Sequence, residues 1–163
     1  LGVAGERESV DIKLEDDNLS NEELLERLNA AMPDDLPVFA VTDPVMKPGK
    51  IAYASFVMTV DPEGRDAGTL AQQLTELFHR DSLVVPKHTK SGFIDFDIRP
   101  YLDRVEVCPV EGKVEIRAML PAGSEMNVNP SLLLEAVQKE LGLDLYTQIR
   151  RTNLYDEQFH AFQ

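Results

Sequence analysis

The chain has 163 residues, 43% of them hydrophobic, enough for one ordinary domain or two small ones with a real core. Its formal net charge of -13 at pH 7 weighs against a surface that binds nucleic acid throughout, because phosphate binding relies on lysine and arginine. The one cysteine, Cys108, excludes an internal disulfide and any all-cysteine metal or iron–sulfur site, and no apolar run approaches the roughly 18 residues of a membrane span. A reducing, cytoplasmic setting is therefore expected.

Glu8 to Leu14 alternates, with Val10, Ile12 and Leu14 on one face, and predicts a half-buried strand. Ser20 with Glu23 forms a capping box for a helix whose apolar stripe is Leu24, Leu25, Leu28 and Ala31, closed by Pro33. Leu36 to Thr42 is a second strand candidate, and Pro44 with Pro48-Gly49 marks a linker. Ile51 to Val60 is apolar on both faces, the mark of a central strand. A helix follows over Ala67 to Arg80, burying Leu70, Leu74, Leu77 and Phe78.

Ser82 to Thr89 and Gly92 to Arg99 read as a hairpin turning at Lys90-Ser91-Gly92. Ile94, Phe96 and Ile98 should face the core, and Asp95, Asp97 and Arg99 the solvent. Pro86 places its arm at an edge or a bulge. A second hairpin turns at Glu111-Gly112. A two-residue turn there sets Val107 opposite Ile116, Val105 opposite Ala118 and Glu106 opposite Arg117. Asn129 caps a helix that starts at Pro130 and ends at Gly142, and Leu145 to Thr152 is a last strand. The tail beyond Tyr155 is expected to fray.

This order predicts an α+β fold: ferredoxin-like split βαβ units in tandem, with a mainly antiparallel sheet and helices on one face. Residues 1–46 would be the back half of one unit, 51–155 a unit with an extra hairpin, and 156–163 the tail. A truncated first unit would expose a sheet edge and an uncovered apolar face, and so dock on the second unit or on a partner chain, as in a homodimer.

The charges are uneven. Residues 1–85 carry 17 acidic and 7 basic side chains, and residues 86–163 carry 12 and 9, which leaves room for a local basic surface in the second half. Lys87, Lys90, Arg99 and either Arg150 or Arg151 are candidates for an anion site, since alternation sends those two arginines to opposite faces. Asp95 and Asp97, about 7 Å apart on one strand face, offer a carboxylate pair, although a solvated face paired to the nearby lysines and Arg99 is the plainer reading. Tyr53, Phe56 and Phe93 suggest a base-stacking platform, against the commoner role of aromatics as core. His79, His88 and His160 lack metal-ligand spacing, and no phosphate-binding glycine loop or nucleophile elbow is present. No metal or cofactor is expected.

Several short motifs recur in a fixed order: Leu1-Gly2-Val3, Glu8, Asp11-Ile12, Leu24 to Asn29, Lys87, Thr89-Lys90, Gly92, Asp97-Ile98-Arg99-Pro100, Asn129-Pro130-Ser131, Arg151-Thr152 and Leu154-Tyr155. Together they resemble a bacterial family of radical-SAM-linked domains of unknown function. The resemblance implies proteins encoded beside, or fused behind, cobalamin-binding radical S-adenosylmethionine proteins, sometimes near ribonuclease E/G and ribosomal protein genes. It further implies a radical SAM protein as partner and a non-catalytic accessory or binding role. An RNA-binding module is the alternative, and an enzyme working through Asp97 and Arg99 a second one. With one cysteine the chain cannot hold the three-cysteine cluster of a radical enzyme. Residues matching the motifs make Lys87, Lys90, Asp97, Arg99, Arg151 and Thr152 the candidate binding set. The family opens with an earlier strand and a basic helix bearing Ser-His-Leu-Asp, which this sequence lacks.

Overall fold

The computed structural model describes residues 2–15 and 18–162. Leu1 and Gln163, which bound the expected first unit and tail, lie outside them. Two compact units emerge, one of Leu1–Glu8 with Pro48–Phe162 and one of Ser9–Lys47.

The larger unit is organised by β2 (Tyr53–Val60), whose alternate residues Ala54, Phe56, Met58 and Val60 are buried. It is antiparallel to β6 (Lys113–Pro121) on one edge and to β7 (Thr147–Tyr155) on the other. β5 (Val105–Val110) pairs with β6, and a short β1 (Val3–Gly5) runs parallel to β7, which gives the order β1-β7-β2-β6-β5. β2 and β5 are thus parallel with β6 between them, and β6 and β7 are parallel with β2 between them. This is the split βαβ arrangement expected for residues 51–155.

The β5–β6 register matches the sequence expectation pair for pair: Val105 with Ala118, Glu106 with Arg117, Val107 with Ile116. Its turn residues Glu111 and Gly112 both have positive φ, 50° and 79°. Such a two-residue turn follows the twist of the strands, and glycine takes the second position without strain.

Helix α2 (Ala67–Phe78) is capped by Asp66, whose carboxylate accepts the Thr69 N–H at 2.8 Å, and it buries Leu70, Leu74, Leu77 and Phe78 over β5 and β6. Helix α3 (Ser131–Leu141) begins where Asn129 Oδ1 accepts the Ser131 N–H and ends at Gly142, φ 67°. It contributes Leu132, Leu133, Ala136 and Val137 to the same core.

The inserted hairpin, β3 (Val84–Thr89) and β4 (Gly92–Asp97), forms a two-stranded sheet of its own. Its base is in the core, with Val85 and Ile98 fully buried, but its tip is not: Phe93 is 74% and Ile94 47% exposed. The expectation that Ile94 points inward is therefore corrected. Alternation sets a side chain's face, yet a two-stranded ribbon buries that face only where another layer lies against it.

Three more expectations change. Glu8 to Leu14 forms no strand, since Val10 and Ile12 are exposed and no strand pairs with them. Leu36 to Thr42 forms none either. There Asn29 Oδ1 accepts the Val38 N–H at 2.8 Å and Asn29 Nδ2 donates to Val38 O at 3.0 Å, so a side chain satisfies the groups a ladder would have used. Of the strand, helix and strand expected over Glu8 to Thr42, the described residues form the helix alone: α1 (Asn21–Ala31), with the Ser20–Glu23 capping box intact.

The tail, finally, folds back onto the sheet through Phe162. Phe162 N–H donates to Leu154 O at 2.8 Å and Tyr155 bridges Ala161. Its two phenylalanines are the reason, because apolar rings gain by folding back onto the sheet end.

Leu74 is completely buried. Leu74→Ala should lower stability by about 3 kcal/mol through transfer and cavity terms, whereas Phe39→Ala, at an exposed site, should stay within about 0.5 kcal/mol. Urea midpoints of the two variants measure both.

Candidate functional site

The six residues singled out by sequence fall into two groups. Lys87, Lys90, Asp97 and Arg99 belong to the β3–β4 hairpin and its exit, and Arg151 and Thr152 to β7.

Most of the hairpin charges hold the hairpin in place. Asp97 Oδ1 accepts the Leu83 N–H at 2.8 Å and the Arg99 N–H at 3.0 Å, while Oδ2 accepts the Ser82 hydroxyl at 2.9 Å. The two backbone donors, with Ser82 and the Arg99 charge behind them, hold this carboxyl below its ordinary range. Both oxygens are occupied, so Asp97 and the exposed Asp95 do not form a free pair.

Lys87 Nζ donates to Asn127 O at 2.8 Å and lies 4.3 Å from the centroid of Phe96. Phe96 in turn stacks on Tyr101 at 5.7 Å, and Arg99 pairs with Asp103 at 2.7 Å. Lys90 alone of the four is exposed in the turn.

On β7, Arg151 pairs with Glu8, and Thr152 Oγ1 meets Ser55 Oγ at 2.7 Å. A register shift opposite Ser55 and Phe56 bulges the strand here, which brings Thr152 over Ser55. Arg150 pairs with Glu6 at 2.8 Å. Arg150 lies opposite Val57 and Arg151 opposite the buried Phe56, so the two arginines alternate between faces as expected. Of the aromatic platform, Phe56 is buried under the helices and Phe93 stands at the hairpin tip, so the three rings do not share a surface. Among the described residues, no three His, Cys, Asp or Glu side chains gather at metal-binding distance.

A site that the sequence reading missed lies at the Tyr53 end of the sheet. There a cleft of about 760 Å³ is walled by the Pro100–Arg104 segment, the Pro121–Met126 loop and the folded-back tail. Tyr53 stacks on Phe159 with centroids 4.5 Å apart, and the Arg104 guanidinium lies 3.7 Å from the Phe159 centroid. The tail is shaped by Asp156, whose Oδ1 accepts the Gln158 and His160 N–H groups at 2.9 and 2.8 Å. Burial raises the pKa of Asp156, but the backbone and side-chain bonds from His160, with Gln158, outweigh it and leave the carboxyl below its ordinary range. On the opposite wall a Cβ at Gly123 would come within 3.1 Å of Ile51 O, a tight contact that would make the loop give slightly. Sequence offered one signal for this cleft: Phe159 and Phe162 are out of place in a tail that is otherwise polar.

An antiparallel split βαβ sheet with one inserted hairpin and a cleft at its end defines the class, an α+β domain. The chain belongs to the DUF2344 family, described as an uncharacterized protein conserved in bacteria, whose profile matches residues 1–130. No curated protein and no solved structure matches the chain.

Because Asp97 is held below its unfolded pKa of about 3.9, its contribution to stability is full above that pH and is lost as the pH falls through the folded value. Asp97→Asn should flatten the acid limb of the stability–pH curve. Asp97→Ala, which leaves two backbone donors without their acceptor, should cost roughly 1–3 kcal/mol at pH 7 by denaturant titration.

Proposed function

We propose that this domain is a non-catalytic accessory of a radical S-adenosylmethionine enzyme and docks on it through the Ser9–Lys47 unit. One observation supports docking above the others. Val10, Phe39 and Val45 in that unit are 80%, 82% and 74% exposed, and α1 buries none of its residues. Large apolar side chains this exposed gain by burial against another macromolecule.

The choice of partner rests on the motif resemblance carried by residues such as Asp97-Ile98-Arg99-Pro100. Within the larger unit, the carboxylates whose acidity the fold alters, Asp66, Asp97 and Asp156, all accept backbone N–H groups in caps and turns. That favours binding over acid–base catalysis, which needs its carboxylate aimed at a substrate.

Co-expression of the full-length protein with the radical protein encoded beside it, followed by affinity capture, tests this reading. A stable complex should form and should be lost on combined Val10→Ser and Phe39→Ser substitution, while Lys90→Glu in the exposed turn leaves it intact. Four results would contradict it: no complex, concentration-dependent self-association in its place, salt-dependent binding to structured RNA that Lys90→Glu abolishes, or turnover by the isolated chain.

A further inference from the structure

We propose that Pro37 to Thr42 adds as a strand to the open edge of a β-sheet in the partner protein, an edge flanked by basic side chains. This rests on the accessory reading and says how the Ser9–Lys47 unit docks: through its backbone, with an apolar ring as anchor.

The chain there is already prepared for pairing. Pro37 to Pro44 contains no helix, turn or bend, and Val38, Phe39, Val41 and Thr42 are strand-forming residues. Asn29 holds the segment from one side. Its Oδ1 accepts the Val38 N–H at 2.8 Å, while Nδ2 donates to Val38 O at 3.0 Å and to Leu25 O of α1 at 3.1 Å. One side-chain amide thus makes the pair of bonds that a residue of an antiparallel ladder would make. For both groups of Val38 to reach the same amide, that residue must be extended.

The other side is open. In an extended chain the backbone groups of successive residues point to opposite edges, so Phe39 and Val41 turn theirs away from α1. Neither residue forms a backbone hydrogen bond among the described residues. Two donors and two acceptors along one edge are a template for a further strand. Pro37 and Pro44 lack an N–H and confine the pairing to the residues between them. The strand that alternation predicts over Leu36 to Thr42 is therefore completed by another chain.

Charge selects the partner. Residues 9–47 carry 10 acidic and 3 basic side chains, -7 of the chain's net -13, and Asp34, Asp35 and Asp43 flank the segment itself. A second copy would bring the same charge to the edge, and nucleic acid would bring phosphates, so both are opposed. A sheet edge flanked by lysine and arginine, with an apolar recess for the exposed Phe39 ring, satisfies the backbone, the ring and the charge together.

Residue-resolved amide hydrogen exchange on the complex of the full-length protein with the neighbouring radical protein tests the assignment. The Phe39 and Val41 amides should slow by at least about tenfold on binding, whereas Val38, bonded to Asn29 beforehand, should change less. Val41→Pro removes an outward donor and should weaken the complex about tenfold. Val41→Ile keeps that donor and should bind as the unaltered chain does. Circular dichroism checks that α1 persists in both variants. Raising NaCl from about 50 to about 500 mM should weaken the complex too. A complex in which Phe39 and Val41 exchange as fast as in the free chain, or which Val41→Pro leaves at full strength, overturns strand addition while the accessory reading stands. Absence of any complex overturns both. Affinity that salt leaves unchanged, or protection of the same two amides in a self-associated chain, overturns the choice of a basic sheet edge.

Discussion

The structure depends on β2 being paired on both edges while one of its faces is sealed. Ala54, Phe56, Met58 and Val60 all point into the core, and β6 and β7 take the backbone bonds on either side. A slip of one residue against either neighbour would carry that entire set to the open face. Burial of the four side chains therefore fixes register across the sheet. The β5–β6 hairpin, the two helices and the cleft at the Tyr53 end take their positions from it.

The polar residues are used differently from what their density suggests. The hairpin collects lysine, aspartate and arginine, yet Asp97 closes its base, Lys87 ties it to the Asn127 carbonyl and Arg99 pairs with Asp103. These bonds also shape the neighbouring cleft. Lys87 reaches the loop just past Met126, and the Phe96–Tyr101 stack leads to the segment that supplies Arg104. The charged set read as a binding surface is thus largely scaffold, with Lys90 the exposed exception.

Much of the larger unit was legible in the sequence, because its signals were redundant. Alternation, turn chemistry and opposite charge all gave the same β5–β6 register, and in the smaller unit Ser20 with Glu23 marked the start of α1 without help from packing. The misreadings have a common origin. Val10, Ile12 and Leu36 to Thr42 alternate well, but a strand needs a partner, and Asn29 took the backbone groups of Val38 first. Ile94 obeyed its alternation on a ribbon that outruns the core. The cleft was invisible because it joins residues far apart in the chain, Tyr53, Arg104 and Phe159, and the turn that presents Phe159 relies on a left-handed residue that no glycine announced.

The most direct measurement is a nuclear Overhauser spectrum of the full chain, read for the neighbours of β2. The account predicts cross-strand contacts from Met58 to both Ile116 and Ile149, together with ring contacts between Tyr53 and Phe159. Contacts from Met58 to only one of those strands would contradict the central strand, and a Phe159 ring with solvent as its only neighbour would contradict the cleft at its end.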